Sequence, residues 1–152
     1  MTTSGSRTLF HPVIVLAIAV LVINDHVLKA RFDSWWTGKL SDVAGLVFFP
    51  ALLAYAAQLV GARHPRTIVV AAIATALVFA AVKLWPPAGE LYRYGLAALQ
   101  WPVRALIGAI RGDGTPGLDP VILVRDPTDL LALPAVLVPV WLDRRIRERS
   151  ST

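Results

Sequence analysis

The chain has no cysteine and a single methionine in 152 residues, and only 16% of its residues are charged. Without thiols there is no disulfide framework, no thiol nucleophile and no cysteine-ligated zinc site. A soluble domain carries about a quarter charged residues. The shortage here, with 56% hydrophobic residues and a mean hydropathy of +0.61, excludes an ordinary water-soluble domain and a disordered chain alike. No glycine-rich phosphate loop and no HExxH spacing occurs, so nucleotide chemistry and zinc hydrolysis lack a motif. No metal or cofactor is expected. Nucleic acid is not an expected partner, because no soluble basic domain is there to carry it.

What the chain does have is apolar and arranged in runs. A helix crossing a hydrocarbon core about 30 Å thick needs roughly 20 apolar residues. Charge-poor runs of that order lie at about 9–24, 40–62, 67–85 and 127–142. The last is short, since its residues wound as an α-helix reach only about 24 Å. The first differs from a signal peptide: only Arg7 precedes it, and NDHVLKARFD after it offers no small-x-small cleavage site. It reads as a retained anchor.

The expected fold class is an all-α membrane protein, a four-helix transmembrane bundle forming a single transmembrane domain over 1–152, with an interfacial amphipathic helix between spans three and four at about 90–111. In that segment Arg93, Gln100, Arg104 and Arg111 recur at spacings of seven, four and seven, which holds them on one side of a helix. Pro102 is expected to kink or divide it. Trp35, Trp36, Trp85, Tyr92, Tyr94 and Trp101 belong to the same membrane face, where amphipathic rings anchor. Ala72, Ala76 and Ala80 form a small-residue ridge for helix packing on span three, and Pro50 and Pro134 are expected to bend spans two and four.

An even number of spans leaves both termini on one side. That side holds Arg7, Arg63, Arg66, Arg144, Arg145, Arg147 and Arg149 against Asp143 and Glu148, so all of the net +5 falls there. Both termini are therefore placed in the cytoplasm.

The same connectivity gathers polar helix ends at the opposite face. Span one ends at Asn24, Asp25, His26 and Lys29; span two begins at Lys39, Ser41 and Asp42; span three ends at Lys83; span four begins at Arg125, Asp126 and Asp129. Ionisable groups at the hydrocarbon edge are costly unless they pair or face water. Two readings follow. In one, Lys29, Lys39 and Lys83 hold the phosphate of an anionic or lipid-linked ligand, while Asp42, Asp126 or Asp129 binds a cation or serves as general base; Asp25 completes the set of ligand-binding candidates. In the other, the same charges form ion pairs that fix helix order in a noncatalytic scaffold or accessory subunit. Helix-end preferences account for part of the set, because Asp126, Pro127 and Asp129 suit a helix start, and Lys29 and Lys83 suit helix ends. They do not account for Asp25, a carboxylate at the carboxyl end of a helix. Whether the chain is an enzyme stays open.

The stretches NDHVLK, TGKLSDVAGLVFFP and DPTDLLALP resemble a family of small, uncharacterised bacterial four-span membrane proteins. More remotely, Asp126, Asp129, Leu130 and Leu131 make an Asp-x-x-Asp-Leu-Leu stretch similar to that of the VanZ-like family, linked to glycopeptide resistance. The VanZ-like pattern tends to continue with Asn and Gly, where this chain has Ala132, Leu133 and Pro134. The resemblance implies a multi-pass protein of the bacterial cytoplasmic membrane whose polar face meets an envelope lipid or lipid-linked glycan.

Overall fold

The computed structural model describes residues 4–28, 31 and 35–150. Its regular structure is all helical, with no strand among the described residues. In chain order it comprises α1 (Ser4–Leu9), α2 (Pro12–Ile23), a π-helical turn (Asn24–Leu28), α3 (Trp35–Leu59), α4 (Thr67–Leu84), α5 (Pro86–Arg111), a 3-10 helix (Pro127–Val136) and α6 (Leu137–Ser150). The chain forms two compact units, Met1–Phe79 with Thr128–Thr152, and Ala80–Pro127.

In the first unit, α2 starts where Pro12 occupies the first turn and His11 Nδ1 accepts the Val13 N–H at 3.3 Å. A proline costs nothing there, because that N–H would have no helical partner. The next helix, α3, is 25 residues long and α4 is 18, and both are long and apolar enough to cross a membrane. At 1.5 Å per residue they reach about 37 and 27 Å. By itself α2 is shorter, at 12 residues. Ile14 and Ala17 of α2 pack with Val47, Ala51 and Leu142, while Leu46 and Ala54 of α3 meet Ile68, Ala71 and Ala72 of α4 together with Val136 and Val140. Alanines at these contacts let helix backbones approach closely. Ala72 lies in this core and Ala76 packs against it, as the ridge on span three leads one to expect. Outward, the helices present apolar side chains: Leu16, Ile23, Leu59, Val70, Leu77 and Val78 are all more than half exposed.

The run at 127–142 is not one α-helix. Its first ten residues wind as a 3-10 helix, and α6 begins only at Leu137. Pro127, Pro134 and Pro139 withhold three ladder donors across this segment. At about 2.0 Å per residue the 3-10 stretch spans about 20 Å, and the first six residues of α6 add about 9 Å. Tighter winding thus lengthens a run that is short as an α-helix.

The second unit is built on α5, which Pro102 does not divide: the helix runs from Pro86 to Arg111 with the proline inside it. Gly112 ends it in the left-handed region, at φ 76°, a conformation that glycine adopts without a Cβ clash. The chain then doubles back along the arginine side of α5 as an extended strap. Trp101 Nε1 donates to the Pro116 carbonyl at 3.0 Å, Arg104 lies 3.9 Å from Asp119, and Arg93 Nε donates to the Val121 carbonyl at 3.0 Å. Two buried glycines of α5 give the strap room. A Cβ on Gly108 would stand 2.7 Å from the Gly114 carbonyl oxygen, and one on Gly89 3.3 Å from Leu123.

Candidate functional site

The polar helix ends of the first unit converge on the opening turns of α3. Thr37 and Ser41 are four residues apart and share one side of that helix; Lys39, between them, points to the other. Each side takes a different partner.

On the first side stands the π-helical turn that extends α2. Asn24 is fully buried, and its Nδ2 donates to the Thr37 carbonyl and to Ser41 Oγ, both at 2.6 Å. Ser41 Oγ in turn donates to Asp25 Oδ1 at 2.7 Å. This relay gives Asp25 a place: its carboxylate accepts from a hydroxyl of the neighbouring helix. One atom is left over. Among the described residues, Asn24 Oδ1 is the buried side-chain acceptor with no hydrogen-bond donor.

On the other side, Lys39 Nζ donates to Thr128 Oγ1 at 2.6 Å and to Asp129 Oδ1 at 2.9 Å, with the Trp35 ring centroid 5.5 Å away. The Asp129 side chain is 8% exposed against 25% for Lys39, so the carboxylate is the more buried partner of the pair. Asp42, half-buried, follows three residues after Lys39 on α3.

Of the seven residues singled out from the sequence, Asp25, Lys39 and Asp129 therefore meet partners around the start of α3. Asp42 belongs to the same unit. Lys83 and Asp126 belong to the second unit, where Lys83 is buried with Nζ 3.5 Å from the Val124 carbonyl. Lys29 lies outside the described residues. Thr37 and Thr128 were not singled out. A neutral hydroxyl and a backbone carbonyl leave no mark in a charge pattern.

A second polar cluster, also not anticipated, ties the chain ends of this unit together. Asp143, 2% exposed, accepts from Thr8 Oγ1 at 3.0 Å and from Arg147 Nε at 2.6 Å. Nearby in the chain, the Gly5 N–H donates to Gln58 Oε1 at 3.1 Å, and a Cβ on Gly5 would collide with the Gln58 amide. The Asp143–Arg147 spacing of four residues is legible as a helical pair. Its third member, Thr8, comes from the other end of the sequence.

His64 Nδ1 accepts the Arg66 N–H at 3.1 Å, and His11 caps α2, so both histidines serve helix or turn ends. No family model, curated protein or solved structure matches the chain.

Proposed function

We propose that the chain is a four-span protein of the bacterial cytoplasmic membrane, with α2 and its π-helical turn, α3, α4 and the 3-10 helix with α6 as the crossings, α5 at the interface and both termini in the cytoplasm. In this reading the polar helix ends are a noncatalytic lock that fixes which helices are neighbours, as in a scaffold or accessory subunit. The apolar outward faces of α3 and α4 support the membrane setting, because a soluble protein of this size would bury them. The observation that carries the lock is that Lys39, Thr128 and Asp129 engage one another directly. Charges in such surroundings persist when paired and hydrogen-bonded.

A second reading, a site for an anionic or lipid-linked envelope ligand at the same face, is favoured by Asn24 Oδ1. An acceptor that lacks a donor suits the hydroxyl of a glycan headgroup better than its phosphate.

A charge cycle separates the two. Under the lock reading, Lys39→Met takes the ammonium away from the largely buried Asp129 carboxylate and costs about 3–5 kcal/mol, whereas Lys39→Met/Asp129→Leu regains most of that loss. Thermal melting of the purified protein in detergent measures both. A double variant that melts like the native protein yet no longer retains a co-purifying lipid or glycolipid, detected by mass spectrometry, points to the ligand site. Additive losses in the cycle contradict the lock.

A further inference from the structure

The lock leaves the second unit without a role, and there α5 carries exposed arginines beside exposed apolar side chains. Where α5 ends and the strap turns back, Arg104, Ile107, Gly108, Arg111, Asp113 and Gly114 surround an open hollow of about 330 Å³. Arg104 and Arg111 are seven residues apart, so they project within about 20° of each other, about 10 Å apart along the axis. Gly108 lies between them beneath the Gly114 carbonyl, so the hollow is floored by strap backbone and no side chain stands between the arginines. Among the described residues no ion pair or side-chain hydrogen bond engages the Arg111 guanidinium, and Arg104 meets Asp119 only at 3.9 Å, with both side chains exposed. An exposed pair at that distance is worth little and yields readily to a better acceptor. Asp113 and Asp119 balance the two arginines at rest; once Asp119 yields Arg104, the lining carries a single positive charge, which matches a phosphodiester monoanion better than a phosphate dianion.

The hollow also has an apolar border. Val103, Ile107 and Ile110 are exposed on the flank of α5 beside the arginines. A phosphodiester seated between the guanidiniums would lay the chains of its lipid along that flank. A free anion would gain nothing from it.

We propose that the Arg104–Arg111 hollow is a binding site for the headgroup of an anionic phospholipid of the phosphatidylglycerol type. The site rests on the membrane reading of the chain and gives α5 a specific lipid partner in place of general anchoring. A juxtamembrane arginine contributes about 1 kcal/mol to anionic-lipid binding, a factor of about five each.

The test uses the full chain in nanodiscs of phosphatidylcholine with a titrated fraction of phosphatidylglycerol, and native mass spectrometry of the lipid retained. The native protein and the charge-matched control Arg63→Gln/Arg66→Gln are expected to retain phosphatidylglycerol preferentially. Arg104→Gln/Arg111→Gln is expected to lose that preference by about fivefold per arginine. Asp113→Asn, which raises the charge of the lining and does not depend on the double variant folding, is expected to strengthen it. Equal retention by the Gln variant, an Asp113→Asn variant no tighter than native, or displacement of the lipid by millimolar inorganic phosphate would overturn the assignment. Failure of the underlying reading shows separately: a chain that leaves membranes in alkaline carbonate is not integral, whereas one that stays without headgroup preference loses only this site.

Discussion

Asn24 does more for the first unit than its neutral side chain suggests. Both hydrogens of its amide are used, one to a backbone carbonyl and one to a hydroxyl that passes the interaction on to Asp25. Asn24→Ala removes two buried bonds and is expected to cost about 1–3 kcal/mol. Asn24→Asp is expected to cost more at neutral pH, because an ionised carboxylate has no hydrogen to give and would face the Thr37 carbonyl oxygen. Melting temperatures of the two variants in detergent decide the order, and an Asp variant as stable as the native protein contradicts this account. The sequence makes Asp25, Lys39 and Asp129 conspicuous, since ionisable groups stand out at the ends of apolar runs. Asn24 draws notice only as a neighbour, and Thr37 and Thr128 not at all, because their work is done by a carbonyl and a hydroxyl whose partners lie on other helices. Thr8 and Asp143 are 135 residues apart, and no local pattern connects them.

At the scale of elements, α3 and α4 lie close to the apolar runs that announce them, starting at Trp35 and Thr67 and ending at Leu59 and Leu84. Sustained apolarity is a strong signal, and helix length follows from it. The 3-10 winding of Pro127–Val136 is not legible in the same way, since hydropathy is blind to the choice between i+3 and i+4 bonding. The strap is harder still. Its glycines and prolines read as turn chemistry, and what holds it is a set of carbonyls accepting from Trp101 and Arg93. The close approach at Gly108 gives a direct check. In Gly108→Val the new side chain must displace the Gly114 carbonyl, which lies 2.7 Å from the Cβ position. The strain expected is about 1–3 kcal/mol. Limited trypsinolysis is predicted to cut after Arg125 several-fold faster in that variant, and an unchanged rate would show that the strap is held elsewhere.

At the scale of the whole molecule, the absence of native cysteine turns each introduced one into a single reporter. With four crossings, Thr115→Cys is expected to react with a membrane-impermeant maleimide from the periplasmic side of intact cells, and Ser150→Cys only after permeabilisation. Labelling of both from one side means that the segment at 127–142 does not cross, and with it the four-span reading fails. The arginine-rich tail supports the cytoplasmic assignment of the termini, because basic residues near span ends resist translocation.

The 3-10 helix has a mechanical meaning beyond its length. It advances about 120° per residue against about 100° for an α-helix, so rewinding the seven steps from Asp129 to Val136 would turn one end against the other by about 140° and draw them about 3.5 Å closer. Asp129 is pinned to Lys39 at one end of this rod, and Asp143 to Thr8 beyond the other. The two carboxylates thus act like the ends of a screw clamped at a set phase, and the two clamps cannot both hold if the thread changes pitch.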